Sequence, residues 1–211
     1  MLKNLFTLLA LSASQISFAQ STNETLLLRH PTISDQHVAF VYGGDIWIAE
    51  KNGQHPRRLT VNPAVERNPI FSPDGSQIAF TGNYDGNTDV YVISIHGGEP
   101  KRITSHPSAD VVRGWLSNDE VYFTTAREFD YSLGSRLYKS KLDGALDLPL
   151  MMPEASQGAP SPDGRYWAYI KNTDLTERDA VAFKRYRGGG MPSIWIFDTK
   201  TKDVQVVPGE R

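Results

Sequence analysis

The side chains able to do chemistry are scattered along the sequence, and no recognised catalytic pattern gathers them. The histidines are His30, His37, His55, His96 and His106. No G-x-S-x-G elbow accompanies them, so the strained turn that bares a serine nucleophile is missing from the sequence. Ser72 and Ser161 each open a Ser-Pro-Asp-Gly word. They read as turn residues: Pro presets one corner, Asp bonds its own following backbone, and Gly takes the positive φ that a side chain disfavours. Zinc-protease H-E-x-x-H, phosphate-cradling G-x-x-x-x-G-K and dinucleotide G-x-G-x-x-G are absent as well. Asn83, Asp85, Asn87 and Asp89 place oxygens at alternate positions, as a calcium loop would. The bidentate Glu required at the twelfth position, counted from Asp85, is His96, so a polar hairpin tip is the better reading. The expectation is therefore no catalytic residue, no metal ligand and no cofactor.

One stretch does concentrate charge. Lys184, Arg185 and Arg187 lie in Glu177–Gly190, an insertion that ends in three glycines. Such a loop is expected to attract an acidic peptide or a polypeptide's C-terminus, or to dock on a following domain. The bland alternative is a solvated long hairpin with Phe183 and Tyr186 laid on the sheet beneath it.

The elements that must position these residues announce themselves by repetition. Phe71–Phe80 (FSPDGSQIAF) returns at Pro160–Tyr169 as PSPDGRYWAY, with weaker copies at Ile33–Phe40 and Trp115–Phe123. Each joins a small-residue turn to a short alternating strand. Aligning on these words gives four units, about 26–61, 67–105, 111–152 and 157–207, each readable as four short strands. Second-strand anchors are Phe40, Phe80, Phe123 and Tyr169; third-strand anchors are Trp47, Tyr91, Tyr138 and Trp195. Four strands per unit at a period of ~40–50 residues predict an all-β fold of the β-propeller type. The third strands, such as Val90-Tyr91-Val92-Ile93, are apolar on both faces, as befits a blade stacked between neighbours. The outermost strands are expected at Pro56–Val61, Pro100–Ser105, Leu146–Met152 and Asp203–Val207. The connections between second and third strands should all emerge on one side of the disc.

Composition narrows the function classes. Lys+Arg total 22 against Asp+Glu 24, a net charge of -2, which argues against a nucleic-acid partner or attachment to a membrane surface, both of which favour a basic excess. Met1–Gln20 reads as a targeting segment: Lys3, the apolar Leu5–Leu11, and small residues that place cleavage after Ala19. A signal peptide over residues 1–19 implies an exported mature propeller domain over 20–211. There are no cysteines, so export goes with stability from packing alone.

The Ser-Pro-Asp-Gly words resemble the propeller repeats of the Tol-system periplasmic protein and of several peptidases. Val65–Phe80, Gly97–Thr104 and above all Phe183–Thr199 (FKRYRGGGMPSIWIFDT) resemble the N-terminal propeller of tricorn proteases and their bacterial homologues. The resemblance implies six blades, with a second propeller, a PDZ-like domain and a serine peptidase core downstream, none of which matches a position here. It implies as partners peptides, downstream domains of the same polypeptide and a second copy of the protein. Because an array that ends without a polar cap leaves apolar faces bare, the four units are expected to be part of a longer polypeptide, the alternative being a true four-bladed ring at the low end of the known range. The leading expectation is a non-catalytic propeller region of an exported tricorn-like serine peptidase; the alternative is a Tol-type propeller that binds partner proteins.

Overall fold

A computed structural model describes residues 27–129, 134–171 and 193–208. Its described residues form sixteen strands and no helix. Four antiparallel sheets of four strands take them in sequence order. The first blade holds β1 (Arg29–Ile33), β2 (His37–Tyr42), β3 (Asp45–Glu50) and β4 (Arg57–Arg58); the second holds β5 (Arg67–Phe71), β6 (Gln77–Gly82), β7 (Asp89–Ser94) and β8 (Lys101–Arg102). The third holds β9 (Asp110–Ser117), β10 (Glu120–Thr125), β11 (Arg136–Lys141) and β12 (Leu148–Pro149). The fourth holds β13 (Gln157–Pro160), β14 (Tyr166–Ile170), β15 (Trp195–Asp198) and β16 (Val204–Val206).

This is the expected all-β propeller arrangement, with one difference in the outermost strands. The stretch expected at Pro56–Val61 pairs only at Arg57–Arg58, and that at Leu146–Met152 only at Leu148–Pro149. After two ladder positions the backbone peels away, because its next residues serve a different purpose: Leu59 enters the core and the Thr60 hydroxyl accepts from the Ile46 N–H at 2.9 Å.

The Ser-Pro-Asp-Gly turns close the β5–β6 and β13–β14 hairpins. Asp74 Oδ1 accepts from the Ser72 hydroxyl at 2.6 Å and from the Ser76 N–H at 3.0 Å, while the Gln77 N–H donates to Ser72 Oγ at 3.0 Å. Asp163 repeats the pattern with Ser161 and the Arg165 N–H. These bonds hold both carboxyls below the ordinary carboxylate range, the serine hydroxyl contributing most. Ser72 and Ser161 are thus turn residues, as their setting in the sequence suggested.

The first strands of successive blades lie beside one another, so β1, β5, β9 and β13 ring a common axis. Three apolar cores fill the seams between blades. Ala39, Ile46, Ile48 and Leu59 meet Phe71, Ile78, Phe80, Tyr91 and Ile93 in the first; Ala79, Val90 and Val92 meet Val112, Val121, Phe123 and Tyr138 in the second. In the third, Tyr122, Leu137, Met152 and Ala155 meet Trp167, Tyr169 and Phe197. Among the described residues no such core joins the fourth blade to the first.

Candidate functional site

Two cavities follow from this ring. A cleft of about 1350 Å³ opens on the side where β2 turns into β3 and β6 into β7. Gly43 and Gly44, both at positive φ (64° and 95°), make the first of those hairpins, and only residues tolerant of that backbone can turn so tightly. Asn83 and Thr88 belong to the second hairpin, and Pro63–Glu66 link the blades between them. The expectation that these connections share one side holds for the first two blades. A narrower space of about 560 Å³ follows the axis, lined by His30–Pro31, Asn68–Pro69, Val112–Arg113 and Gln157–Ala159 from the four inner strands. His30 and Asn68 line both cavities and so stand where they join.

That junction has an unusual backbone. His30 and Asn68 are non-glycine residues at positive φ, 49° and 54°, and each precedes a proline. In both strands the ladder slips at this point, between Arg29 and Thr32 and between Arg67 and Ile70. A bulge of this kind bends a strand and re-aims its side chains, and non-glycine residues in this region persist only where the surroundings hold them. The word Arg-His-Pro at 29–31, echoed by Arg-Asn-Pro at 67–69, was the available signal.

Below the cleft, charge is used as a fastener. Asp45 pairs with Arg58 at 2.7 Å and Asp89 with Arg102 at 2.5 Å, clamping the start of a third strand to the fourth. The Thr60 and Thr104 hydroxyls accept from the Ile46 and Val90 N–H groups, at 2.9 and 3.0 Å. Asp45 to Asp89, Arg58 to Arg102 and Thr60 to Thr104 are each 44 residues apart, so this latch is a sequence regularity that the turn words had overshadowed. The third blade solves the same problem differently. Arg127 lies over the Tyr138 ring at 4.7 Å and bridges Asp110 and Asp147, each at 2.9 Å.

Glu66 sits in the seam between the first two blades with no exposed surface. Its Oε2 accepts from the Ile46 N–H at 3.1 Å and from the Thr60 hydroxyl, and its Oε1 from the Tyr84 hydroxyl at 2.5 Å. Burial pushes this carboxyl above the ordinary range despite those donors, and the nearby Asp45 charge adds to the effect. The Tyr84 phenol is pushed up too, by burial first and then by Glu66.

The acidic hairpin is likewise consumed internally: Arg102 binds Asp85 at 3.3 Å as well as Asp89, and the Asn87 amide donates to Asp89 Oδ1 at 3.1 Å and to the His106 carbonyl at 2.6 Å. Lys184, Arg185 and Arg187, the basic residues singled out from the sequence, lie outside the described residues, as does the targeting segment.

The family model for the tricorn protease N-terminal beta propeller domain matches residues 25–211. The chain belongs to that family. It is 29% identical over 170 residues to Tricorn protease homolog 1 of Streptomyces coelicolor, a match covering 80% of this chain and 16% of that one. A Tricorn-like protease N-terminal subunit of Sulfurisphaera tokodaii is 34% identical over 124 residues, 56% of this chain and 63% of the relative. The crystal structure of the tricorn protease superposes with a TM-score of 0.71 at 26% identity, over 87% of this chain and 18% of that one. TolB of Acinetobacter baumannii gives a TM-score of 0.66 at 19% identity, over 85% of this chain and 43% of that one, which speaks for the fold alone. This tricorn-type propeller therefore spans less than two thirds of either tricorn relative's length.

Proposed function

We propose that the protein is a non-catalytic propeller region of an exported tricorn-like serine peptidase, which admits or orients peptides while hydrolysis takes place on other parts of the assembly. The observation that carries this reading is the continuous path at the axis: a cleft of about 1350 Å³ meets a narrower space of about 560 Å³ at His30 and Asn68. A rigid ring of sheets with a passage at its centre suits an extended peptide. It offers strand and turn backbone to a peptide's own amides. The basic residues Lys184, Arg185 and Arg187 are assigned in this reading to a peptide C-terminal carboxylate or to a following domain of the same polypeptide. Pairing between copies of the protein is compatible with it, and residues 1–19 serve export and are removed.

The test is direct binding. Labelled eight-residue peptides should raise fluorescence anisotropy with the full-length protein, and the same preparation should leave casein and peptide reporters uncut. Substituting Lys184, Arg185 and Arg187 by Gln should weaken neutral peptides that carry a free C-terminal carboxylate more than their amidated forms. Serine-directed hydrolysis by this protein would overturn the reading. Failure of every peptide to bind would favour a Tol-type propeller that recognises folded partners.

A further inference from the structure

We propose that the mouth of the axial path is an acidic-peptide site built on Arg29 and Arg67. The inference rests on the peptide-binding reading above and deepens it by naming the surface and the charge of what it takes. The first residue of an inner strand faces the cleft in each of the first two blades, as Arg29 and Arg67, and the matching position just inside β9 is the neutral Val111. Both arginines of the cleft wall therefore come from the first two blades.

These two arginines are unlike most others in the fold. Arg58, Arg102, Arg127, Arg136 and Arg165 each hold a carboxylate, at 2.7, 2.5, 2.9, 2.8 and 3.0 Å respectively. Arg29 and Arg67 are exposed and make no ion pair among the described residues, although the sequence holds 24 acidic residues. The acid in the cleft wall is Glu66, and its two oxygens already take the Ile46 amide, the Thr60 hydroxyl and the Tyr84 hydroxyl.

Placement adds a second, independent reason. Each arginine is followed by a bulge residue held at positive φ, His30 or Asn68, and then by a proline. A slipped ladder re-aims the residues beside it, and in both strands the arginine before the bulge lines the cleft while the bulge residue and its proline line the axial space. The arrangement is repeated on β1 and β5, inner strands of neighbouring blades, so the cleft wall carries two planar cationic donors, which suits successive carboxylates of an extended peptide.

Two C-terminally amidated, fluorescein-labelled octapeptides test the proposal, one alternating Glu with Ala and one alternating Gln with Ala, titrated into the full-length protein at low salt. The Glu peptide should bind at least about tenfold tighter, and raising the salt should erode that preference. The double variant Arg29→Gln/Arg67→Gln should abolish it. Circular dichroism should show the variant folded, since neither side chain has an ion-pair partner to lose among the described residues. The triple variant Lys184→Gln/Arg185→Gln/Arg187→Gln should retain the preference, because amidated peptides present no C-terminal carboxylate. Equal binding of both peptides, or a preference that survives the double variant, overturns the inference and leaves the peptide-binding reading standing. Binding of neither peptide overturns both.

Discussion

The second and fourth blades are written in nearly the same words and live in different surroundings. Along β6 and β7 the residues from Ile78 to Gly82 and from Asp89 to Ile93 are all buried, because a neighbour covers each face. On the fourth blade Trp167, Tyr169 and Phe197 are buried against the third, whereas Tyr166, Ile194, Val204 and Val206 remain 38–51% exposed. The apolar residues are similar; what differs is the second neighbour. Burial in a repeat fold is set by the seam, so a strand that is apolar on both faces records where a blade can pack, and the described structure shows where it does.

Equivalent substitutions should break the two blades unequally. Val92 pairs across from Ala79, and Ile196 from Ala168, so the two hold matching places in their sheets. Val92 is 5% exposed within the second seam. Lys101 stands opposite Val92 in the ladder, but its ammonium is engaged by the Leu142 carbonyl. An aspartate buried in this seam is therefore poorly compensated, and Val92→Asp should cost about 3–5 kcal/mol, enough to unfold a marginal domain. Ile196 is only partly buried, and Ile196→Asp should cost about 1 kcal/mol. Urea melts of the two variants would decide it; equal losses would mean that the outer side of the fourth blade is as well covered as the seams.

The seams themselves differ in charge. The residue just before or at the start of an inner strand is Glu66 in the first, Asp110 in the second and Ser156 in the third, all without exposed surface. Among the described residues no cation pairs with Glu66, and its carboxyl titrates above its ordinary value near 4.5 because burial disfavours the charge. Between the unfolded and folded values the native state holds the proton more firmly. This group's contribution is therefore fully present below about pH 4.5 and is lost as the pH rises through its folded value. Glu66→Gln should flatten that fall. Melting temperatures taken from pH 4.5 to pH 8 should decline more steeply in the unsubstituted protein than in the variant; parallel slopes would show that the Ile46, Thr60 and Tyr84 donors keep Glu66 ionised throughout.

How much of this could be read in advance depends on which residues repeat. The turn words and paired aromatic anchors gave the blades, because Pro-Asp-Gly geometry is local and period-two burial follows from it. The latch of Asp45, Arg58 and Thr60 was equally legible, since its copy stands 44 residues on, but it joins the third strand to the fourth and is invisible to a reading centred on the first hairpin. Arg127 with Asp147 was not legible, because those residues have no counterpart in the other blades and meet only through the fold. The cleft belongs to the same class. Arg29 and Arg67 look like ordinary surface cations until the bulges at His30 and Asn68 place them at one rim.

The smallest expected contrast is between the two Ser-Pro-Asp-Gly turns, where the sequence is the same and only the neighbour changes. Gly75 and Gly164 both sit at positive φ, 71° and 69°, so alanine at either position should cost about 1–2 kcal/mol from backbone strain alone. A Cβ at Gly164 would meet open space, while one at Gly75 would lie 3.4 Å from the Ser34 Cβ in the first blade's corresponding turn. That spacing is ordinary contact, so Gly75→Ala should lose no more than a few tenths of a kcal/mol beyond Gly164→Ala. The second blade's turn is also tied to the third, since the Asp74 N–H donates to the Asn118 side-chain oxygen at 3.1 Å. A shift in the turn strains that bond as well. Thermal melts of the two alanine variants measured side by side would resolve the difference, and a larger loss at Gly164 would mean that the turn whose glycine faces open space depends more on that glycine than the braced one does.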